Sequence, residues 1–198
     1  MRITRANTKA INYACKNFHY AKVVPPVLYG YNIYNDKDEW CGVILYGAGS
    51  NPSIARIYGK HSGEVLELVR VALNGKQEVT SKAVAMSLRQ LKKDNPLCKM
   101  VVSYADHRQE HLGIIYQATN WIYVGESITG GYEYFYKGRW THPRTISYYK
   151  NKNEIKANCP KRKTSNKFKY IFCFDKKERK KYLKMALPYP KQKDLTQK

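Results

Sequence analysis

The chain has 198 residues, 43% of them hydrophobic, and its 36 Lys and Arg against 15 Asp and Glu give a formal charge of +21. The length suits one domain with its own core and a small appendage, and the apolar share excludes a disordered chain. The charge excess is more than solubility asks and implies a polyanionic partner: DNA, RNA or an anionic membrane surface.

In chain order, residues 4–17 read as a short amphipathic helix with Ile11, Tyr13 and Ala14 on a modest apolar face. His19-Tyr20 follows, then Pro25-Pro26, which holds the chain extended. VLYGYNIY at 27–34 and WCGVILYG at 40–47 flank the polar turn NDKDE and predict a hairpin. EVLELVRVAL at 64–73 alternates and then turns continuously apolar, as a central strand does. Thr80 or Ser81 can cap a helix that runs to about Asp94, where Asn95-Pro96 stops it. Residues 98–105 predict another strand, 111–120 a short helix, and IYVGES and GYEYFYKGRW two more strands. This order gives an α/β (α+β) domain with a mixed, partly antiparallel sheet.

Composition shifts after residue 147. Residues 150–198 hold 17 Lys and Arg against 4 Asp and Glu, so they carry most of the net charge. FKYIFCF at 168–174 interrupts this stretch as a further strand, and a basic helix is expected at 175–186. The expected organisation is a catalytic domain at 1–147, a basic nucleic-acid-binding extension packed on it at 148–187, and a disordered tail at 188–198. Phosphate contacts are assigned to Lys161, Arg162 and Lys163 and to Lys176, Lys177, Arg179 and Lys180.

The N-terminus lacks a signal-peptide core, and no run of about 18 apolar residues could span a membrane, so a cytoplasmic protein without membrane contact is expected. Cys15, Cys41, Cys98, Cys159 and Cys173 form no C-x-x-C pair and read as reduced structural thiols. The 18 tyrosines against 5 phenylalanines suit strand and core-edge positions with a bonded hydroxyl.

The densest stretch for chemistry is SYADHRQEHLGIIYQATNW at 103–121. Asp106 ends a strand, as either a helix cap or a site carboxylate. His107 and His111 formally match the H-x-x-E-H zinc pattern, but Asp106 and Gly113 bracket it as a loop. Acid–base work by one of the two histidines is the alternative. Tyr116 is either a packed core residue or a site phenol. His19 and Tyr20, with Asp106, supply nitrogen and oxygen donors suited to iron if they meet in space. NGKQEVTS at 74–81 joins a strand to a helix N-terminus, where free N–H groups can bind phosphate. Asn74 and Ser81 are therefore the cofactor-binding candidates.

The same stretch resembles the Mom family of phage DNA-modification proteins. ELVRVALN at 67–74, the Ser-led helix after it, Trp121 with Gly125, and His19-Tyr20 support the resemblance over about residues 15–147. The basic tail with FKYIFCF is similar as well. The resemblance implies a GNAT-like acyltransferase fold, with a mixed, mostly antiparallel central sheet, flanking helices and a basic C-terminal extension. It implies a transferase that converts adenine in double-stranded DNA to an N6-carbamoylmethyl derivative, hiding phage DNA from host restriction in the host cytoplasm. It also implies bound iron, with His19, Tyr20, Asp106 and Tyr116 as ligands. Asp106, Tyr116, His19 and Arg70 become the catalytic candidates, and Arg70 and Ser81 lie near cofactor or substrate. Gly75 alone stands where GNAT enzymes carry Q/R-x-x-G-x-G/A, so acetyl-CoA or a related acyl donor is left open. A homodimer is a further expectation. Two other functions stay in view: a GNAT-like transferase acting on tRNA or a protein amine, and a nucleic-acid binder without catalysis.

Overall fold

A computed structural model describes residues 1–49, 53–127, 131–164 and 166–192. A seven-stranded sheet runs through it in the order β1-β2-β3-β4-β5-β10-β6. Its strands are β1 (Arg2–Arg5), β2 (Tyr29–Tyr34), β3 (Trp40–Gly47), β4 (Val65–Leu73), β5 (Met100–Asp106), β6 (Ile122–Ser127) and β10 (Lys167–Cys173). All neighbours pair antiparallel except β4 and β5, which are parallel. A second sheet, β8-β7-β9, joins β7 (Tyr132–Tyr136), β8 (Arg139–Thr141) and β9 (Lys161–Lys163).

Helices cover both faces of the large sheet. On one lie α1 (Thr8–Asn17), α2 (Ile54–Ile57) and α7 (Lys176–Leu183), packed over Val43, Leu45, Val65, Val102 and Ile171. On the other lie α3 (Thr80–Asp94) and α4 (Ile114–Gln117), packed over Ile44, Tyr46, Leu66, Phe168 and Tyr170. Alternate residues of β4, β5 and β10 divide between the two cores, as the period of two in a strand requires. Short helices α5 (Pro143–Ile146) and α6 (Lys152–Asn158) pack on β7.

Local chemistry sets the element ends. Asn7 caps α1 by accepting the Ala10 N–H at 2.9 Å. The β2–β3 turn is organised by Asn35, whose Oδ1 accepts from the N–H groups of Lys37 and Glu39. The expected cap of α3 is not made: Val79 holds the cap position without a side-chain bond, and Thr80 already lies inside the helix. The expected helix over 111–120 shrinks to α4, because a 3-10 turn at His107–Gln109 and the left-handed Gly113 (φ +73°) come first. A Cβ on Gly113 would lie 2.5–2.9 Å from the rings of Tyr170 and Tyr116, so the close approach of loop to sheet requires glycine.

The extension expected at 148–187 contributes to both sheets, β9 to the small one and β10 to the large one. β10 lies between β5 and β6, with Phe168 and Tyr170 fully packed, so this strand completes the central sheet. Part of the expected tail is also held: the Leu187 N–H donates to Tyr123 O and the Tyr189 hydroxyl to Trp121 O. Residues 193–198 lie outside the described residues. No described helix is long and apolar enough to cross a membrane, and all five cysteines are free.

Candidate active site

β4 and β5 pair only over Val65–Glu67 and then part. Across the other edge of β4, Leu45 faces Arg70 while Tyr46 faces Leu68, which leaves Val69 as a bulge residue. A bulge bends its strand, and here it accompanies the opening of a fork. At the crotch, Ser103 Oγ lies 3.0 Å from Leu68 O and 2.8 Å from the Tyr116 hydroxyl. Above it is a cavity of about 1050 Å³, lined by residues 67–71 of β4, by Tyr104 and Asp106 of β5, and by His19, Tyr20, His111 and Tyr116.

Four catalytic candidates that are far apart in sequence thus share one cavity. His19 enters because α1 ends at Phe18 and the chain turns back on itself. Its Nδ1 accepts the Ala21 N–H at 3.1 Å, and its ring stacks on Tyr20 at 4.3 Å. Burial, then the charges of Arg70, His111 and Lys22, lower its pKa to about 4, so the ring is neutral at ordinary pH. Because Nδ1 is an acceptor, the neutral ring carries its proton on Nε2.

Arg70 comes from the bulged stretch. One of its guanidinium nitrogens donates to Val69 O at 2.7 Å, and Nε is buried with no hydrogen-bond partner among the described residues. Asp106, last in β5, stands opposite Lys167 in the β10 register, with the ammonium 3.8 Å away. Tyr20 is half exposed, yet its phenol is pushed up by burial and by Asp106, with Arg70 acting the other way. Tyr116 is packed against Trp121 and Tyr170, and burial pushes its pKa up to about 12 against the opposing Ser103 bond.

The resemblance implies iron held by His19, Tyr20, Asp106 and Tyr116, and all four line this cavity. With Nδ1 engaged by the Ala21 N–H, His19 would reach a metal through Nε2, its proton moving to Nδ1 at the cost of that hydrogen bond. The Tyr116 oxygen is tied to Ser103, and both phenols favour the protonated form. The Arg70 charge close to His19 and Tyr20 opposes a bound cation. Among the described residues no group of three or more His, Cys, Asp and Glu could hold a metal ion. The H-x-x-E-H segment fails: His107 lies 3.9 Å from the Phe168 ring, His111 meets Tyr20 edge-on, and Glu110 is left-handed at φ +54°.

Asn74 and Ser81 lie outside this cavity. Asn74 shapes the turn after β4, donating to Trp40 O and accepting the Lys76 N–H. Ser81 lines a separate cleft of about 640 Å³ between α3, the end of α4 and β10, with Lys82, Arg89 and Lys93 on its rim and Phe172 and Phe174 in its floor. The two basic clusters also separate. β9 adjoins the cavity, since Thr164 and its neighbours Gly131 and Glu133 line it, whereas α7 packs on the far face of β10. Arg162 is committed to Glu133 at 2.9 Å, and Arg179 donates to Asn120 O.

The Mom protein family model matches residues 1–191. The chain belongs to this family. It is 28% identical over 163 residues to the methylcarbamoylase mom of Escherichia phage Mu, covering 76% of this chain and 67% of that relative. Solved structures of similar fold include a Bacillus subtilis acetyltransferase in complex with CoA (TM-score 0.50, 10% identity, 88% of this chain and 99% of that one). A spermidine N-acetyltransferase chimera that includes the Vibrio cholerae enzyme is another (TM-score 0.51, 7% identity, 92% and 99%). The fold is therefore GNAT-like, and family and fold together make the chain a transferase.

The cavity residues that were not sequence candidates include Glu67, Glu133 and His142. Glu67 carried a usable signal, because a carboxylate inside a central apolar strand is costly unless something there engages it. Glu133 and His142 carried none, since only the fold brings the small sheet to the fork.

Proposed function

We propose that this transferase modifies adenine in double-stranded DNA, placing a carbamoylmethyl group on N6 and so shielding phage DNA from restriction in the host cytoplasm. One observation carries the reading: Asp106, His19, Arg70 and Tyr116, the catalytic set implied by the family resemblance, line one cavity beside the cationic strand β9. The Mu relative is named a methylcarbamoylase; methylcarbamoyl and carbamoylmethyl are isomers of equal mass, so the name supports a carbamoyl-bearing C2 unit. The charge of +21 favours a polyanionic substrate and opposes a polyamine acceptor.

The roles follow from charge and hydrogen bonding. Adenine N6 must leave the base pair to enter the cavity. The Asp106 carboxylate accepts the N6 proton as the new N–C bond forms. Neutral His19 presents an Nε2–H donor, and Arg70 supplies a fixed positive charge where the donor's leaving group develops negative charge. Tyr116 with Ser103 holds the fork open. The CoA-bound fold relative supports an acyl-CoA type of donor, and the unpaired edge of the fork suits an extended, amide-bearing arm. Acyl transfer alone would form an N6-amide, so the carbamoylmethyl product requires a donor whose CH2 carries the leaving group, the N–CH2 bond forming as that bond breaks.

Mass spectrometry of nucleosides from plasmid DNA of expressing cells tests the reading, with Asp106→Ala beside the intact chain. A deoxyadenosine heavier by a carbamoylmethyl group, seen only with the intact chain, supports it. An N6-amide would instead point to simple acyl transfer. Unmodified DNA from well-expressed protein would move the assignment to another acceptor such as tRNA or a protein amine.

A further inference from the structure

The strands of the small sheet stand beside the cavity and carry an aromatic pair that the chemistry above leaves unused. Glu133 and Phe135 are two apart on β7 and share a face. In register, Glu133 stands opposite Arg162 and Phe135 opposite Trp140, which places all four on that face. Glu133 lines the cavity, and the Phe135–Trp140 pair follows two residues further along the same face. Phe135 is 41% and Trp140 37% exposed, with ring centroids 5.3 Å apart in an edge-on arrangement. The Arg162 guanidinium lies 4.3 Å over the Trp140 ring and is itself clamped by Glu133 at 2.9 Å.

Two large apolar rings held in solvent by a rigid strand pair and an ion-paired arginine are prearranged for stacking rather than for core packing. Arg162 puts a cation on the same face, and Lys161, Lys163 and Arg139, at the alternate positions of the edge strands β9 and β8, add charge at the rim of the sheet. Rings that insert into a base stack are a known physical means of holding a duplex open.

We propose that Phe135 and Trp140 form a stacking wedge that fills the gap left by the adenine when it enters the cavity, and that Arg162 holds Trp140 in place. They are positioning residues, acting on the duplex and not on the reacting atoms. The inference rests on the DNA-modification reading.

The test uses the full chain and a Phe135→Ala/Trp140→Ala variant on two duplexes, one with the target adenine opposite thymine and one with it opposite an abasic site. A wedge predicts at least tenfold slower transfer on the paired duplex, near-normal transfer on the abasic one, and recovery with Trp140→Phe. In parallel, 2-aminopurine at the target position reports unstacking on binding without any transfer. Its fluorescence should rise with the intact chain and fail to rise with the double variant. Equal fluorescence from both proteins overturns the wedge, as does equal loss of transfer on both duplexes. If the intact chain raises the fluorescence yet transfers nothing to DNA, the modification reading fails while the wedge stands.

Discussion

Strands β7 and β10 are close in composition and opposite in use. YEYFY and KFKYIFC both interleave aromatic with charged residues, yet Phe168 and Tyr170 of β10 are 2% and 0% exposed while Tyr132 and Phe135 of β7 are 44% and 41% exposed. The difference lies in position. β10 has strands on both edges and helices over both faces, so its aromatics supply hydrophobic free energy. β7 also has strands on both edges, but its sheet has three strands and is packed by the short helices α5 and α6, and its Tyr132 and Phe135 stay partly in solvent. Aromatic content alone does not separate a core strand from a recognition strand.

The sharpest way to break this comparison is truncation. Phe168→Ala should cost about 3–5 kcal/mol in urea unfolding, as a filled core position does, whereas Phe135→Ala should stay near the roughly 0.5 kcal/mol of an ordinary surface change. Equal costs would mean that β7 is as structural as β10.

Next in size is chemistry where β5 meets β10. Asp106→Asn keeps shape and hydrogen bonding but removes the base, so transfer should fall by about 100-fold or more, with DNA affinity little changed. A tenfold weaker effect would move proton removal to Glu67 or Glu133. Tyr170→Phe gives a smaller effect on the β10 side. It removes the hydroxyl that donates to Leu112 O at 2.5 Å and accepts from Gln117, and should cost about 1–2 kcal/mol in thermal or urea unfolding. The two basic clusters extend the test to DNA. Lys161→Ala/Lys163→Ala on β9 should flatten the plot of log affinity against log salt by about 0.9 per lost phosphate contact. A larger flattening from Lys176→Ala/Lys177→Ala would place the main DNA track on α7 instead.

Much of the frame was legible because it rests on local rules. WCGVILYG, IYVGES and the helix ending before Asn95-Pro96 are read from periodicity and breakers, and the structure keeps those bounds. FKYIFCF was legible as a strand but not as the strand between β5 and β6, because pairing partners depend on non-local contacts that no local pattern encodes. β1 and β9 were missed: four and three residues are too short to display alternation. For the site, the resemblance supplied His19, Tyr20, Asp106 and Tyr116, and all four line the cavity. A metal-ligand set is less legible, because it depends on which nitrogen is protonated and what each oxygen already bonds. That is fixed by the Ala21 N–H and by Ser103, neither visible as a pattern.

His19 lies between the two regimes, inside the cavity yet within reach of solvent, and its titration tests that position. Its pKa in the folded chain is about 4, below the ordinary 6.5, because burial and nearby cations disfavour the imidazolium. Between those values the unfolded chain binds the proton and the folded chain does not, so unfolding gains as pH falls. This contribution is complete above pH 6.5 and is lost progressively toward pH 4. Urea midpoints from pH 7.5 to 4.5 should therefore decline less steeply for His19→Gln than for the intact chain. Nitrogen chemical shifts should meanwhile show a neutral ring with its proton on Nε2 down to about pH 5. If both proteins decline alike, His19 titrates as a solvated residue, and the Nε2–H donor assigned to it at the cavity is lost.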